Sequence, residues 1–340
     1  MLEFLRRTGT LLTMKTSIVS AGKTTIAQAG RLIATGELVA FPTETVFGLG
    51  ADALNETAVA KIFVAKDRPA DNPLIIHIAD LSSLELVTSF VPQVAQKLID
   101  AFWPGPLSIV LPKHSRVPAV TTAGLDTVVV RYPSHPVAQA LIHEAGTPIA
   151  APSANRSGRV SPTTAKDVFT DMNGKIPLIL DAEAIKYGLE STVIDCTTDV
   201  PTLLRPGSIT QEMIESIIGA ISNTSNTKTR SPGMKYRHYA TDTPITLLTG
   251  TAKQRQQKYQ TFLESHEPNS FVLLSHTLKH SHTSYIQLPS KCAAAGTCLY
   301  STLILADTQD KHTILIEGYL ESGVGTAIMN RLRKAATNIL

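Results

Sequence analysis

The stretch TVVVRYPSHPVAQALIHEAGTPIAA, residues 127–151, reads as strand, helix and strand in succession. Thr127–Tyr132 is a short run of β-branched and apolar residues suited to a buried strand, and Pro133 follows it. A helix fits Pro136–Glu144 and is stopped by Gly146, after which Ile149–Ala151 starts a second strand. Strands alternating with a helix of this length are the signature of an α/β fold.

The alternation continues on both sides. Upstream, the spacing of Ile26, Ala29, Leu32 and Ile33 predicts a helix over Thr24–Thr35, ended by Gly36, and then a strand at Leu38–Phe41 broken by Pro42. A helix is expected at Glu56–Ala65, a strand at Leu74–Ile78, a helix at Val91–Phe102 broken by Trp103–Pro106, and a strand at Leu107–Leu111. Downstream, strands are expected at Leu178–Asp181, Thr192–Asp195 and Thr202–Arg205, followed by a helix at Gln211–Ile218. So many short strands in one region predict a mixed sheet rather than a purely parallel one.

At 340 residues the chain is long enough for two domains. The boundary is compositional. Residues 221–243, ISNTSNTKTRSPGMKYRHYATDT, are rich in Ser, Thr and Asn, lack an apolar period and read as a linker between a unit at 17–220 and another at 244–340. The second unit has strands expected at Ile245–Thr249, Phe271–Ser275, Thr283–Leu288 and Ile314–Glu317, with helices at Lys253–Glu264 and Thr326–Ala336.

Composition narrows the class. Hydrophobic residues at 43% and charged residues at 17% exclude a mainly disordered or collagen-like chain. Cys196, Cys292 and Cys298 are an odd number without CxxC spacing, which suggests neither a disulfide framework nor a cysteine zinc site and fits a reducing, cytoplasmic setting. No apolar run approaches the ~20 residues of a membrane helix. The opening MLEFLRRTGTLLTMKTS lacks the apolar core of a secretory signal and is read as ordinary sequence, with Met14 as an alternative start. The net charge of +3 is uneven: residues 1–220 hold 18 Lys and Arg against 21 Asp and Glu, residues 221–243 four against one, and residues 244–340 nine against six. A broad basic face for nucleic acid is therefore not the leading idea, and an anion bound by the first unit must meet a few placed cations.

Three motifs are decoys. Ala21-Gly22-Lys23-Thr24-Thr25 ends like a phosphate-binding loop, but Ser17 stands where the first glycine belongs and no strand is evident before it; the expectation is a helix start capped by Thr24 or Thr25. Gly323-Val-Gly325 lacks the third glycine of a dinucleotide fingerprint and is read as a tight turn that packs Ile328 and Leu332. His276, His280 and His282 are read as a solvated loop rather than a metal site.

Four segments are richer in polar chemistry than packing needs. Phe41–Gly50 (FPTETVFGLG) leaves a strand through a proline turn with two hydroxyls around a carboxylate. Lys66–His77 (KDRPADNPLIIH) places Lys66 and Arg68 two apart in a proline-stiffened loop, suited to polyphosphate oxygens, ahead of Asn72 and His77. Arg131 ends a very apolar strand and would be costly to bury without an anion, and Ala151–Ser161 follows with Ser153, Asn155 and Ser161. Gly188–Thr192 and Leu204–Gly207 add Ser191 and Arg205 at strand boundaries. Taken singly, each has an ordinary structural reading: a solvated charged loop, a core histidine, a structural ion pair, plain turn residues. Spacing alone leaves an anion site and that reading side by side and does not name a substrate.

These motifs together resemble the YrdC-type threonylcarbamoyl-AMP synthases in their long, two-domain form. The resemblance rests on PTETVFGLG, on the KxR…SxN signature as Lys66, Arg68, Ser153 and Asn155, on LDTVVVRYPSHP, APSANRSGRVSPT, LESTVID and LLRPGSI, on SPGMKYRHY in the linker, and on GVGTAIMNRLRKAA at the tail. It implies a YrdC-like twisted mixed sheet with flanking helices around a concave cleft, plus a smaller Rossmann-like α/β C-terminal domain. It implies a nucleotidyltransferase that joins L-threonine, bicarbonate or CO2 and ATP into threonylcarbamoyl-adenylate and pyrophosphate, for tRNA threonylcarbamoyladenosine modification next to the anticodon. By motif match, Lys66 and Arg68 would be catalytic, with Lys66 on the phosphate or bicarbonate side. ATP would meet Arg68, Asn72, Thr127, Ser153, Asn155, Ser161, Arg205, Tyr236 and His238, the last two folding over the site as a lid against water. L-threonine would meet Thr45, His77, Arg131, Ala151 and Ser191, with Arg131 holding its carboxylate bidentately. Mg2+ would ride mainly on the triphosphate. Further partners would be tRNA or the downstream threonylcarbamoyl transferase, with no membrane. The competing expectation is a double-stranded RNA or tRNA-binding module without turnover.

Overall fold

The computed structural model describes residues 14–182, 185–223, 238–278 and 284–340. Residues 1–13 of the opening stretch lie outside the described residues, as do 224–237 of the expected linker, Tyr236 among them, and His280 and His282.

Ten strands form the first sheet: β1 (Ser17–Ser20), β2 (Val39–Phe41), β3 (Gly48–Asp52), β4 (Ile75–His77), β5 (Leu107–Pro112), β6 (Thr127–Arg131), β7 (Ile149–Ala150), β8 (Leu178–Asp181), β9 (Thr192–Asp195) and β10 (Thr202–Arg205). Their order is β1-β8-β2-β3-β7-β4-β6-β5-β9-β10. Parallel pairs such as β4 with β6 and β5 with β9 alternate with antiparallel ones such as β5 with β6 and β4 with β7, so the sheet is mixed as expected. Flanking it are α1 (Lys23–Ala34), α2 (Glu56–Lys66), α3 (Leu84–Val87), α4 (Gln93–Phe102), α5 (Ala119–Thr122), α6 (Pro136–Ala145), α7 (Ala165–Met172) and α8 (Gln211–Ile218). Gly36 and Gly146, at φ +82° and +65°, supply the left-handed residue that ends α1 and α6.

The second sheet contains β11 (Ile245–Leu248), β12 (Phe271–Ser275), β13 (Ser284–Gln287), β14 (Thr313–Glu317) and β15 (Asn338–Ile339), ordered β13-β12-β14-β11-β15. All of its pairings are parallel, the Rossmann-like arrangement. Its helices are α9 (Ala252–Ser265), α10 (Cys292–Asp307) and α11 (Val324–Ala335).

Three differences from the expectations have physical causes. A strand, β1, does precede Ala21-Gly22-Lys23, and Thr25 rather than Thr24 ties the helix start, accepting the Gly22 N–H at 2.9 Å and donating to the Ser20 carbonyl at 2.8 Å. The glycine-rich stretch read only as a ligand loop includes β3, whose small residues fit between β2 and β7. Helix α10 had no amphipathic signal because CAAAGTCLYSTLILAD is apolar or small on every side: Leu299, Tyr300 and Leu303 join a core that also takes in Val46, Val160 and Leu189 of the first unit. The turn at Gly323-Val-Gly325 is as tight as expected, since a Cβ on Gly325 would lie 2.0 Å from the Leu320 carbonyl oxygen, and Ile328 and Leu332 are buried.

Candidate active site

The period of two along the central strands decides which side chains reach the concave face. Ile76, Val128, Val130, Ile109 and Leu111 point into the main core, whereas Ile75, Val129, Val110 and Val193 form a separate patch on the opposite face. His77 and Arg131 continue that second face, and they are register neighbours on parallel β4 and β6. The cavity over this face is lined by Arg68, Ser153, Asn155, Ser161, Arg205 and His238 from the expected ATP set, and by Thr45, His77, Arg131, Ala151 and Ser191 from the expected threonine set.

Arg131 is buried and faces a carboxylate of the protein itself. Its Nη2 lies 2.7 Å from Glu44 Oε1, Nη1 donates to Thr45 Oγ1 at 2.9 Å, and Nε donates to the Gly105 carbonyl at 3.3 Å. Glu44 thus occupies one donor of Nη2, and Thr45 one of Nη1. Five N–H groups still leave donors for a second acceptor. Beside it, burial and then the Arg131 charge bring the His77 imidazole down to about 3, so it is neutral, and its Nδ1 has no hydrogen-bond partner in the protein.

Lys66 does not turn its ammonium toward the cavity. It is the last residue of α2 and fully buried, and Nζ donates to the carbonyls of Ser153 and Asn155. Burial, with Arg68 nearby, holds its pKa well below the usual lysine value. The ammonium thus forms a loop tie to the backbone of the serine and asparagine of the signature. Ser153 Oγ in turn donates to Asn155 Oδ1 at 2.5 Å, and Asn155 Nδ2 donates to the Arg156 and Arg159 carbonyls. Arg68 reaches the cavity while its Nη2 donates to the Asn72 and Pro73 carbonyls at 3.2 Å. Asn72 itself is buried behind that loop with Oδ1 unpartnered, outside the lining. Thr127 shares the face of Arg131 but stands four residues earlier, about 13 Å along the strand, and is also outside the lining.

Arg205 donates from Nε to the Ser191 carbonyl at 3.0 Å and from Nη2 to Ser191 Oγ at 3.1 Å, and Ser191 Oγ pairs with Ser108 Oγ at 2.7 Å. His238 lines the cavity, and burial, followed by the charges of Arg68 and Lys334, lowers its pKa to about 4.

The sequence reading named no role for Arg159, Glu190 or Tyr239, which also line the cavity. Glu190 accepts the Ser161 hydroxyl at 2.6 Å. A single acid inside the LEST run, between two apolar strands, was the available signal, since a carboxylate placed there needs partners. Among the described residues no three His, Cys, Asp or Glu side chains gather as a metal-binding group, and no helix there is long and apolar enough to cross a membrane.

Residues 31–207 match the Sua5, YciO and YrdC family described as telomere recombination, and residues 209–337 match the family described as threonylcarbamoyl-AMP synthase, C-terminal domain. The chain is 44% identical over 330 residues to the threonylcarbamoyl-AMP synthase of Bacillus subtilis, covering 94% of this chain and 95% of that protein. It is 40% identical to the one from Schizosaccharomyces pombe, with coverage of 88% and 85%. The crystal structure of Pyrococcus abyssi Sua5 complexed with L-threonine superposes with a TM-score of 0.88 at 43% identity, over 96% of this chain and 98% of that one.

Proposed function

Because the chain belongs to the threonylcarbamoyl-AMP synthase family, we propose that its cavity joins L-threonine, bicarbonate and ATP into threonylcarbamoyl-adenylate, releasing pyrophosphate and water, for modification of tRNA. The observation that carries this reading is the convergence of Arg68, Ser153, Asn155, Ser161 and Arg205 with Thr45, His77, Arg131 and Ser191 in one cavity.

The chemistry has three steps. Bicarbonate takes up a proton and loses water to give CO2; the neutral amine of threonine attacks CO2 and gives up a proton, leaving a carbamate; and a carbamate oxygen then displaces pyrophosphate from the α-phosphorus. Phosphoryl transfer of this kind needs positioning and charge neutralisation more than covalent help. Arg131, its own charge offset by Glu44, uses its remaining donors to hold the threonine carboxylate. His77, kept neutral, offers Nδ1 as an acceptor to the amine or hydroxyl without repelling it. Arg68 and Arg205 take the polyphosphate oxygens, and Thr127, farther along the same face, meets the adenosine end. Lys66 acts from below, by fixing the loop that presents Ser153 and Asn155. His238 and Tyr239 close the wall against water.

Mg2+ fits as a companion of the triphosphate, because the lining carboxylate, Glu190, is already engaged by protein donors. It would neutralise charge on the phosphate oxygens. We assign the protein to the cytoplasm on its thiols, of which Cys196, Cys292 and Cys298 are all free. Nothing in the cavity favours the RNA-binding alternative. Mass spectrometry of the product formed from ATP, L-threonine and bicarbonate tests the reading: threonylcarbamoyl-adenylate that disappears when threonine or bicarbonate is omitted supports it, and its absence refutes it.

A further inference from the structure

Glu190 lies in the cavity wall with its carboxylate shared between the two units. From the first, Ser161 Oγ donates to Oε1 at 2.6 Å. From the second, Tyr300 OH donates to Oε2 at 2.8 Å and Arg331 Nε at 3.1 Å, and from the segment between the units Tyr239 OH adds a longer contact at 3.4 Å. Arg331 is among the largest fully buried side chains of the described residues. Its Nη2 also reaches the Glu190 carbonyl at 3.4 Å and its Nη1 the Pro206 carbonyl at 2.5 Å. One guanidinium on α11 thus straps the two segments that carry Ser191 and Arg205.

The same loop is pressed onto α10. Gly188 has φ +70°, and a Cβ there would lie 2.3 Å from the Thr297 carbonyl oxygen. Thr297 Oγ1 donates to the Lys186 carbonyl at 3.0 Å, and Leu189 is buried in the core of the second unit. A wall of the cavity is therefore shaped by contacts its own unit does not supply.

We propose that Arg331 and Tyr300 of the C-terminal unit are positioning residues for the nucleotide side of the cavity, acting through Glu190. They hold that carboxylate ionised and oriented, so that it fixes the Ser161 hydroxyl and balances the positive charge of Arg331, while Arg205, bonded to Ser191, is left to face an anionic ligand. The inference rests on the reading of the cavity as an adenylate-forming site and adds a task for the second unit. Burial pushes the Glu190 carboxyl up, but Arg331, Arg205 and the hydroxyls of Ser161 and Tyr300 overcome it and bring it down to about 2. Arg331 and Lys334 face it from α11, Tyr300 from α10, Arg205 from β10, and Tyr239 and His238 from the segment before β11. Without the Arg331 charge the burial cost remains while the largest opposing charge is gone, so Glu190 takes up a proton closer to neutral pH.

The test uses the full chain with Tyr300→Phe, Arg331→Lys and Arg331→Met, measuring pyrophosphate release from pH 5.5 to 8.5, ATP affinity by calorimetry, and thermal stability. Tyr300→Phe keeps the ring and should fold, with ATP affinity lowered about 3- to 10-fold by the lost hydrogen bond. Arg331→Met should lose about 100-fold in kcat/KM and gain an acidic limb absent from the parent profile, and Arg331→Lys should recover part of both. Should Arg331→Met not fold, Tyr300→Phe and Arg331→Lys decide. Folded variants with parental ATP affinity and an unchanged pH profile would overturn the proposal and leave the contacts as domain packing. Calorimetry needs no turnover, so a parent chain that makes no adenylate refutes the adenylate-forming reading without obscuring this one.

Discussion

Glu317 in the five-stranded sheet and Glu190 in the cavity wall are both buried carboxylates beside a guanidinium, Arg255 at 3.0 Å in one case and Arg331 at 3.1 Å in the other. Glu317 is enclosed by its own unit. It accepts from Ser275 Oγ at 2.5 Å, from the backbone N–H groups of His276 and Thr277 at 3.0 and 2.9 Å, and from the Thr277 hydroxyl at 2.5 Å. Those N–H groups stand just beyond the carboxyl end of β12, the place where a parallel sheet would receive an anionic ligand. There the protein's own glutamate fills it. In the first unit the corresponding inventory is left open: His77 Nδ1 lacks a partner, and Arg205 is bonded to a serine rather than a carboxylate. Polar groups closed on one another stabilise a fold; those with spare valence mark where a ligand completes them.

The strongest way to break this contrast is to remove a cation that lines the open region. Arg68→Ala should lower adenylate formation by about 10^3-fold or more, with stability unchanged within about 1 kcal/mol because Arg68 lies on a partly exposed loop. Near-parental turnover in a pyrophosphate-release assay would remove Arg68 from the polyphosphate side. The closed region should respond in the opposite sense. Glu317→Gln leaves Arg255 without its counter-charge in a buried setting, costing about 3 kcal/mol in urea unfolding, with kcat/KM within about twofold of the parent. Burial opposes ionisation of Glu317, but its bonds to His276, Ser275 and Thr277 hold the carboxyl well below the usual range. Its contribution to stability is therefore present above the ordinary glutamate pKa and lost as pH falls below it. A large activity defect in this variant would mean that the two regions are not separate.

Much of this was legible in residue order. Strands such as Leu178–Asp181 and Thr202–Arg205 follow from short apolar runs, and helices such as Gln211–Ile218 from local spacing. Helix α10 was not legible, since a helix packed between two units has no polar stripe to give it a period. The cations of the cavity were visible as charges in apolar company, but their partners were not. Glu44 and Arg131 are paired across β-strands and turns far apart in sequence, and Glu190 meets Arg331 from the other end of the chain. For the same reason Lys66 was placed toward the ligand: a motif fixes which residues are near one another, whereas only the tertiary fold shows that its ammonium spends its donors on two carbonyls.

The neutral state of His77 gives a smaller, graded test. Its imidazole sits near 3 in the folded protein, below the ordinary histidine value of 6.5. The unfolded chain thus binds a proton that the folded one refuses, so the associated stability is full above about pH 6.5 and is lost as pH falls toward 3. Relative to His77→Gln, the parent should lose roughly 2 kcal/mol between pH 7 and 5. Parallel stability curves for the two proteins would show that the ring is not held neutral, and would remove its proposed use as an acceptor.

The smallest effect is expected on the same helix as Arg331. Arg333, two residues on, pairs with Glu321, its Nη1 donating to Oε2 at 2.6 Å, but the two side chains are 41% and 48% exposed. Water and salt compete for both charges, and ordering two long side chains offsets most of the attraction. Arg333→Ala should therefore change unfolding free energy by less than about 0.5 kcal/mol, leave ATP affinity and the pH profile alone, and shrink further at high salt. The contrast with Arg331 then isolates burial and a shared carboxylate as the cause of any effect on the cavity, because residue type, helix and neighbouring sequence are held nearly constant. If Arg333→Ala weakens ATP binding as much as Arg331→Lys does, the influence of the second unit is carried by the general charge of α11, and the specific strap through Glu190 is not its route.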